Sequence, residues 1–526
     1  MEQRVALLSV SDLRGLKDFA ARLLDLNFVI YATENTRRNL VEAGLAVRDV
    51  SEITGFPSIL GGRVKTIHPL LYAGILASRS RTSHMEEVER LNCPLIDIVV
   101  VNPYPLPREG MSLEDVVERI DIGGIGLLRA AAKNFEYVTV ICDPGDYGRV
   151  IEELTSEGAV SLDTKKLLAA KALDFVTRYD QEIARVLNKA LFGKDVLYLG
   201  YERSEKLRYG ENWHQNASLY VDRKPEGFGI ARARRLGVEH MSFNNFLDAD
   251  AALWAASDLA EYTVSSVVIK HTSLCAAATG PAPLESLKAA WDGDPVSSYG
   301  GVLAFTYPVN LDVARFLSER FIEVVLALSF SEESVDVLLK KNRRLRLLEL
   351  GEMGKRGEAE EYRFISGGLL VQDRDLGYTS ASEFRNVTKA EFPKEKLELA
   401  RFACIAAKHV KSNAVVIARE YRRGFYQTVG IGGGQPNRVD AISKLAIPRA
   451  LEFCKRNGLS SVEVLGECVL ASDSFFPFPD SIEVMADAGL RYVVQPGGSK
   501  RDPEVIGAAD RNGMAMLFTG RRCFRH

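Results

Sequence analysis

Short β-rich runs alternate with amphipathic helical stretches through the first 150 residues, and this alternation limits the fold more than any other feature of the chain. Val5–Val10 is followed by Leu16, Phe19, Ala20, Leu23 and Leu24 at helical spacing, then by Phe28–Ala32; further on, Ile96–Val101 and Val138–Ile141 are bare apolar runs. Bare runs of this kind mark parallel strands covered on both faces, so an α/β doubly wound parallel sheet is predicted. Residues 160–195 read as a pair of helices that close this domain, which is expected to span 1–198. A single core stops growing at roughly 250–300 residues, so a chain of 526 needs at least one more domain, expected over 199–526. That region is again mixed α and β, and it repeats an apolar run, a Lys-His pair and a glycine-rich turn. The repetition predicts two related subdomains, with a break near 340–365 where a charged, glycine-interrupted stretch reads as a solvated excursion.

Charge and cysteine usage narrow the function. With 67 Lys and Arg against 70 Asp and Glu the formal net charge is −3, which excludes nucleic-acid binding driven by general basicity and favours small anions as ligands. The seven cysteines are scattered, without a C-x-x-C pair, so neither a disulfide framework nor a zinc cluster is indicated. No secretory segment precedes Val5 and no apolar stretch reaches the roughly 20 residues of a membrane helix, so a cytoplasmic protein without a membrane partner is expected.

Only seven histidines occur, and two of them form Lys-His pairs: Lys270-His271, after Ser266–Ile269, and Lys408-His409, before Val410-Lys411-Ser412-Asn413. An imidazole titrates near neutral pH and an ammonium draws negative charge, so such a pair at a strand end suits proton transfer with oxyanion stabilisation. In the first domain, reactive side chains sit beside turn glycines in Gly62-Arg63-Val64-Lys65-Thr66, Asn102-Pro103-Tyr104, Asp121-Ile122-Gly123-Gly124 and Arg129 to Lys133. Loops and helix N-termini at the carboxyl ends of parallel strands present N–H groups to anions, which suits these positions to ligand binding. Arg129 and Lys133, four residues apart, equally suit a solvated helix face.

The second region is denser in such groups. It holds Leu207-Arg208-Tyr209-Gly210 with His214, Ser242 to Asn245, Tyr299-Gly300-Gly301, Gly432-Gly433-Gly434-Gln435 with Arg438, and Ala471 to Asp480 with Phe475 and Phe476; Arg522 stands near the end. Glycine turns with Gln, Ser and Arg suit a phosphate, and paired Phe beside Asp480 suits a planar ring next to a hydroxyl. Nucleotide handling is implied. A lone Phe-Phe-Pro-Phe is more often core, and a lone glycine turn is more often only a turn.

Taken together, Gly62-Arg63-Val64-Lys65-Thr66, Leu207-Arg208-Tyr209-Gly210, Lys408 to Asn413 and Ala471 to Asp480 resemble the bifunctional purine-biosynthesis family that joins an IMP cyclohydrolase domain to a 5-aminoimidazole-4-carboxamide ribonucleotide (AICAR) formyltransferase domain. The resemblance covers essentially the whole chain. It implies a methylglyoxal-synthase-like first domain, two cytidine-deaminase-like subdomains without zinc, and a homodimer with shared transferase sites. It also implies 10-formyltetrahydrofolate as co-substrate and no catalytic metal, and it leaves potassium open. For the transferase it suggests His271 as base, Lys270 and Asn413 on the oxyanion, and His214 assisting. Arg208, Gln435 and Arg438 would bind phosphate or anion, Tyr209 and Gly300 would contact the substrate, Asn245 and Glu323 would meet the nucleotide's polar edges, Phe475 and Asp480 the folate, and Arg522 the carboxamide. For the cyclohydrolase it suggests Lys65, Tyr104, Asp121 and Lys133 as the reacting set. Ser11, Thr33, Thr36, Arg63, Thr66, Asn102, Gly123 and Gly124 would line its substrate.

The chain departs from the family pattern where the cyclohydrolase phosphate is expected. Leu13 replaces a lysine, and Glu34-Asn35 replace two glycines. A cation is lost and an anion gained, which introduces an alternative: a formyltransferase whose cyclohydrolase domain is weakened.

Overall fold

In the first unit the apolar runs become strands because helices cover both of their faces. Strands β1 (Arg4–Val10), β2 (Phe28–Ala32), β3 (Val47–Asp49), β4 (Ile98–Asn102) and β5 (Thr139–Ile141) form one sheet in the order β3-β2-β1-β4-β5, with every pairing parallel. Leu7, Leu8, Ile30, Val99 and Val140 are sealed from solvent, and each such side chain contributes about 1.5–3 kcal/mol relative to exposure. The chain winds outward from β1 to β3 and then places β4 and β5 on the other side. The direction reverses between β1 and β4, which opens a crevice at their carboxyl ends.

This computed structural model describes residues 4–103, 110–222, 229–237, 240–352, 360–378 and 380–526. The chain divides into two units, Met1–Leu199 and Gly200–His526. Helices of the first unit include α1 (Leu16–Asp25), α2 (Glu34–Glu42), α3 (Gly123–Lys133) and α4 (Leu162–Phe192). The last is a single helix of 31 residues, not the expected pair. No glycine or proline interrupts it. The Ser161 hydroxyl accepts from the Thr164 amide at its start, and left-handed Gly193 ends it.

The second unit begins with a hairpin of β6 (Tyr201–Leu207) and β7 (Ala217–Asp222), then β8 (Arg234–Gly237). A first series follows: α5 (Phe243–Leu259), β9 (Ser265–Lys270), β10 (Ser273–Thr279), α6 (Pro283–Gly293), β11 (Val302–Phe305), α7 (Leu311–Ser318), β12 (Val324–Ala327), α8 (Glu332–Lys341) and β13 (Arg346–Glu349). After the hairpin β14 (Glu360–Ile365) and β15 (Gly368–Asp373), and the short β16 (Arg385–Asn386), a second series has the same connectivity. It runs α9 (Leu397–Lys408), β17 (Val415–Arg422), β18 (Phe425–Gly432), α10 (Ile447–Arg456), β19 (Val469–Ser472), α11 (Asp480–Asp487), β20 (Tyr492–Gln495), α12 (Asp502–Arg511) and β21 (Ala515–Phe518).

The two series build one twelve-stranded sheet in the order β16-β21-β20-β19-β17-β18-β10-β9-β11-β12-β13-β8, mirrored about the antiparallel seam between β10 and β18. The Lys-His pairs do not mark this repeat. Lys270 ends strand β9 whereas Lys408 ends helix α9, so the two pairs occupy different places in the two series. The charged stretch near 340–365 is also not wholly a solvated excursion, because β13 pairs with β12 and β8 inside the main sheet. Among the described residues no helix is long and apolar enough to cross a membrane.

Two candidate active sites

The first site lies at the reversal between β1 and β4. Asn102, the last residue of β4, is buried, and its Oδ1 accepts from the amides of Ser11 at 2.7 Å and Asp12 at 2.8 Å. The Ser11 hydroxyl donates to the Pro103 carbonyl at 2.7 Å. Thr36, in the first turn of α2, accepts from the Val10 amide at 3.0 Å, and the Thr33 hydroxyl donates to Ser9 Oγ at 3.2 Å. Ser11, Thr33, Thr36 and Asn102 therefore form one cluster that shapes the loops after β1 and β2. Their polar groups and the Val10, Ser11 and Asp12 amides are largely engaged with each other, which leaves the N-terminus of α2 as an element able to face an anion. Leu13, on the loop after β1, and Glu34 and Asn35, at the start of α2, are exposed.

The N-terminus of α3 is packed against this crevice. A Cβ on Gly124 would stand 2.8 Å from Asp121 Oδ2 and 2.9 Å from Val101 Cγ1, and one on Gly123 would strike the buried Thr66 hydroxyl. The two glycines thus let α3 approach β4 and the Arg63 to Thr66 loop. Asp121 accepts from the Gly124 amide at 2.6 Å, and its own amide donates to the buried Tyr179 hydroxyl on α4 at 2.9 Å. Lys65, half-buried, carries no hydrogen bond or ion pair among the described residues. Arg63 is exposed and paired with Glu118, an ion pair that water screens and an incoming anion can displace.

Two members of the expected set stand apart. Lys133 is exposed at the opposite end of α3 from Gly124, about 13 Å along the helix axis at about 1.5 Å per residue, so the fold does not bring it to Asp121. Tyr104 lies outside the described residues. Arg129 pairs with Asp180 on the surface, in keeping with a solvated helix face.

The second site gathers around the turn between β9 and β10. Lys270 Nζ donates to the Tyr299 carbonyl at 2.7 Å, and exposed His271 is the next residue. Gly300, left-handed at φ 71°, donates its amide to the Phe321 carbonyl at 2.8 Å, and the Tyr299 and Phe321 rings meet at 5.1 Å. Both rings are largely exposed, an open platform for a planar group. Glu323 accepts from the buried Asn245 side chain at 2.8 Å, while Asn245 and Ser242 cap α5 reciprocally. Burial is the largest influence on Asp248, on the same helix, and pushes its carboxyl above the usual range.

Across the seam, the segment before β17 meets this turn. The Leu274 amide donates to the His409 carbonyl at 2.9 Å, and the Lys411 amide to Ser273 Oγ at 3.4 Å. Asn413 is held from both sides: its side chain donates to the Gln435 carbonyl and accepts from Arg438, each at 2.9 Å. Arg438 does not fit the expected role in anion binding. It is 5% exposed, and its guanidinium is taken up by Asp473, Ser472 and Asn413. Asp473, fully buried, also accepts from Ser412, and its carbonyl receives the Cys523 amide. No local signal marks it, since a lone Asp in Ala-Ser-Asp-Ser reads as a turn residue.

Lys408 and His409 are buried and face Asp258: His409 Nε2 lies 2.6 Å and Lys408 Nζ 3.1 Å from its Oδ2. The His409 pKa is lowered, chiefly by burial, with Lys408 and Arg525 adding to the effect and the Asp258 carboxylate opposing it. The remaining candidates are more peripheral. Phe475 is half-buried, and Asp480 is exposed at the start of α11, where it accepts from the Ser481 amide at 2.6 Å. Arg208 lies over the Tyr209 ring at 5.5 Å and Arg522 over Phe524 at 4.6 Å, both exposed. The turn bearing His214 reaches α5 through the Asn244 side chain and the Glu211 carbonyl, 3.2 Å apart. Among the described residues no hydrogen bond or ion pair links Arg208, His214, Asp480 or Arg522 to His271, and no group of three or more His, Cys, Asp or Glu is arranged to hold a metal.

A family model described as "AICARFT/IMPCHase bienzyme" matches residues 131–449, and one described as "MGS-like domain" matches residues 15–126. "Bifunctional purine biosynthesis protein PurH" of Persephonella marina is 42% identical over 99% of this chain and 100% of its own length. The protein of the same description from Desulfitobacterium hafniense has the same identity and coverage, and that from Rhodopirellula baltica is 40% identical over 99% of each chain. A parallel-sheet unit with an MGS-like match, followed by a second α/β unit, all aligned end to end with these relatives, places the chain in the AICARFT/IMPCHase bienzyme family.

Proposed function

We propose that the chain carries out two consecutive steps of purine synthesis in the cytoplasm. The unit Gly200–His526 transfers a formyl group to the exocyclic amine of AICAR, and the unit Met1–Leu199 closes the product to inosine monophosphate with loss of water. The observation that carries the reading is the meeting of the Lys270-His271 turn with the segment leading to Asn413, through Leu274 and Ser273. The formyl group comes from 10-formyltetrahydrofolate, for which the exposed Tyr299 and Phe321 rings and the half-buried Phe475 provide apolar faces.

The amine of AICAR is conjugated with its ring and carboxamide, so it attacks well only as its proton is removed. His271 takes that proton while Lys270 and Asn413 face the tetrahedral oxyanion. Arg438 serves by fixing Asn413. Asn245 and Glu323 meet the nucleotide's polar edges, Arg208, Tyr209, Gly300 and Gln435 its anionic end, Asp480 the folate, and Arg522 the carboxamide, with His214 assisting proton transfer. In the first unit Asp121 takes the carboxamide proton as the nitrogen attacks the formyl carbon. Lys65 steadies the oxyanion, and Tyr104 positions the leaving oxygen. Arg63, Thr66, Gly123 and Gly124 with the loops after β1 and β2 receive the phosphate. The mirrored series around β10 and β18 are taken as two cytidine-deaminase-like subdomains, and the working form as a homodimer with shared transferase sites.

The test is a coupled assay with AICAR and formyl-folate that follows both products, run beside His271→Ala. The variant is expected to lose formyl transfer by about 10²–10⁴-fold while cyclisation of supplied formyl-AICAR is unchanged. Full transfer by the variant would remove His271 from the reaction. Absence of inosine monophosphate from wild-type protein that still makes formyl-AICAR would leave only the transferase.

A further inference from the structure

The turn that carries His271 is built from two left-handed residues, neither of them glycine. His271 has φ 54° and Thr272 φ 60°, between the paired residues Lys270 and Ser273. Two-residue hairpin loops of this kind need positive φ at both positions, and Gly, Asn and Asp dominate them. A β-branched residue such as Thr272 adopts that conformation only where its surroundings impose it. The segment before β17 flanks the turn through Leu274 and Ser273, and one carboxylate holds its backbone directly. Asp248 Oδ1 accepts from the Thr272 amide at 2.6 Å, the His271 amide donates to the same carboxylate, and the imidazole lies within its electrostatic reach. Asp248 is one turn beyond Asn245 on α5, a helix whose start is locked by the reciprocal Ser242 and Asn245 cap.

We propose that Asp248 is the positioning residue of the formyl-transfer site, holding the His271-Thr272 turn left-handed so that the imidazole is fixed beside Lys270 and the segment leading to Asn413. The inference rests on the reading of His271 as the base. Asp248 touches the backbone of the turn, and its effect reaches the substrate only through His271. Its loss therefore acts on the placement of the base and leaves the nucleotide contacts of Asn245 and Glu323 in place.

The experiment measures kcat and KM for formyl transfer in Asp248→Ala, Asp248→Asn and His271→Ala, each also combined with Thr272→Gly, with the AICAR affinity of the same preparations as a check that the second unit is folded. Asp248→Ala is expected to lower kcat by about 10²-fold with KM for AICAR within about threefold, the cost of a base displaced by about 1 Å. Asp248→Asn keeps one acceptor for the Thr272 amide and is expected to lose about tenfold. Adding Thr272→Gly should return about tenfold to Asp248→Ala, since glycine takes positive φ without strain, and nothing to His271→Ala. Asp248 variants that transfer formyl within about threefold of wild type, while His271→Ala has lost transfer, would overturn the assignment. So would the absence of any gain from Thr272→Gly. Full transfer by His271→Ala would instead sink the underlying reading of the site. If Asp248→Ala does not fold, Asp248→Asn with and without Thr272→Gly decides by the same criteria.

Discussion

The two Lys-His pairs show how far residue type alone carries an inference. Each pair has the same side chains, yet His271 stands exposed on a strained turn and His409 lies inside the unit against Asp258. Burial sets the chemistry of His409. Its pKa is lowered in the fold, so it stays neutral there while the unfolded chain titrates near about 6.5. Above that pH neither state holds the proton and the full stability is present. As pH falls below about 6.5 the unfolded chain takes up a proton that the fold refuses, and stability drops by up to about 1.4 kcal/mol per pH unit until the folded pKa is reached. Thermal unfolding between pH 7.5 and 5 should therefore show a steeper loss for wild type than for His409→Gln, whose amide still donates to Asp258. Equal slopes would mean that His409 is not the group responsible. Arg438 teaches the same lesson: a guanidinium beside a glycine turn suits a phosphate, but the buried Asp473 that claims it comes from 35 residues further along the chain.

At the level of elements, what was legible in the sequence was whatever depends on local pattern. The bare runs became parallel strands because covered strands have no polar face to show. The pairing of Asn102 with Ser11 at the carboxyl ends of β4 and β1 follows from strand order once the sheet is wound. Contacts between distant elements were not legible. Neither the grip of Asp248 on the His271 turn nor the role of Lys408 against Asp258 has a local signature, and the expected break in α4 failed because a helix's length is set by its caps and by what it packs against. The glycines at the start of α3 are an intermediate case: their pattern suggested an anion-binding turn, while the structure adds a packing demand. Gly124→Ala places a methyl between Asp121 and Val101, and such overpacking costs about 1–3 kcal/mol. Pushing α3 away from β4 should lower cyclisation by about tenfold or more, since Asp121 moves with it, and leave formyl transfer untouched. An unchanged cyclisation rate would show that the close approach serves packing alone.

At the scale of the whole molecule, duplication and division have different consequences. The mirrored series of the second unit share one sheet and one extended core, with Ala252, Val267, Ala403 and Val416 in the same cluster, so the transferase site depends on both series at once. The first unit keeps its own core, in which the clusters around Leu7 and Val99 and around Leu8 and Ile30 contain only residues of Met1–Leu199. Two units with separate cores tolerate damage separately. A chain inactivated at His271→Ala should therefore keep cyclisation, and one inactivated at Asp121→Asn should keep formyl transfer. Neither alone should convert AICAR to inosine monophosphate, but an equal mixture should, because formyl-AICAR released by one protein can enter the other. A time course of the mixture is the measurement: a lag while free formyl-AICAR accumulates, followed by steady formation of the monophosphate, is the expected result. A mixture that stalls at formyl-AICAR, although each variant retains its own half-reaction, would mean that the intermediate has to pass within one molecule, and the independence drawn from the separate cores would fall.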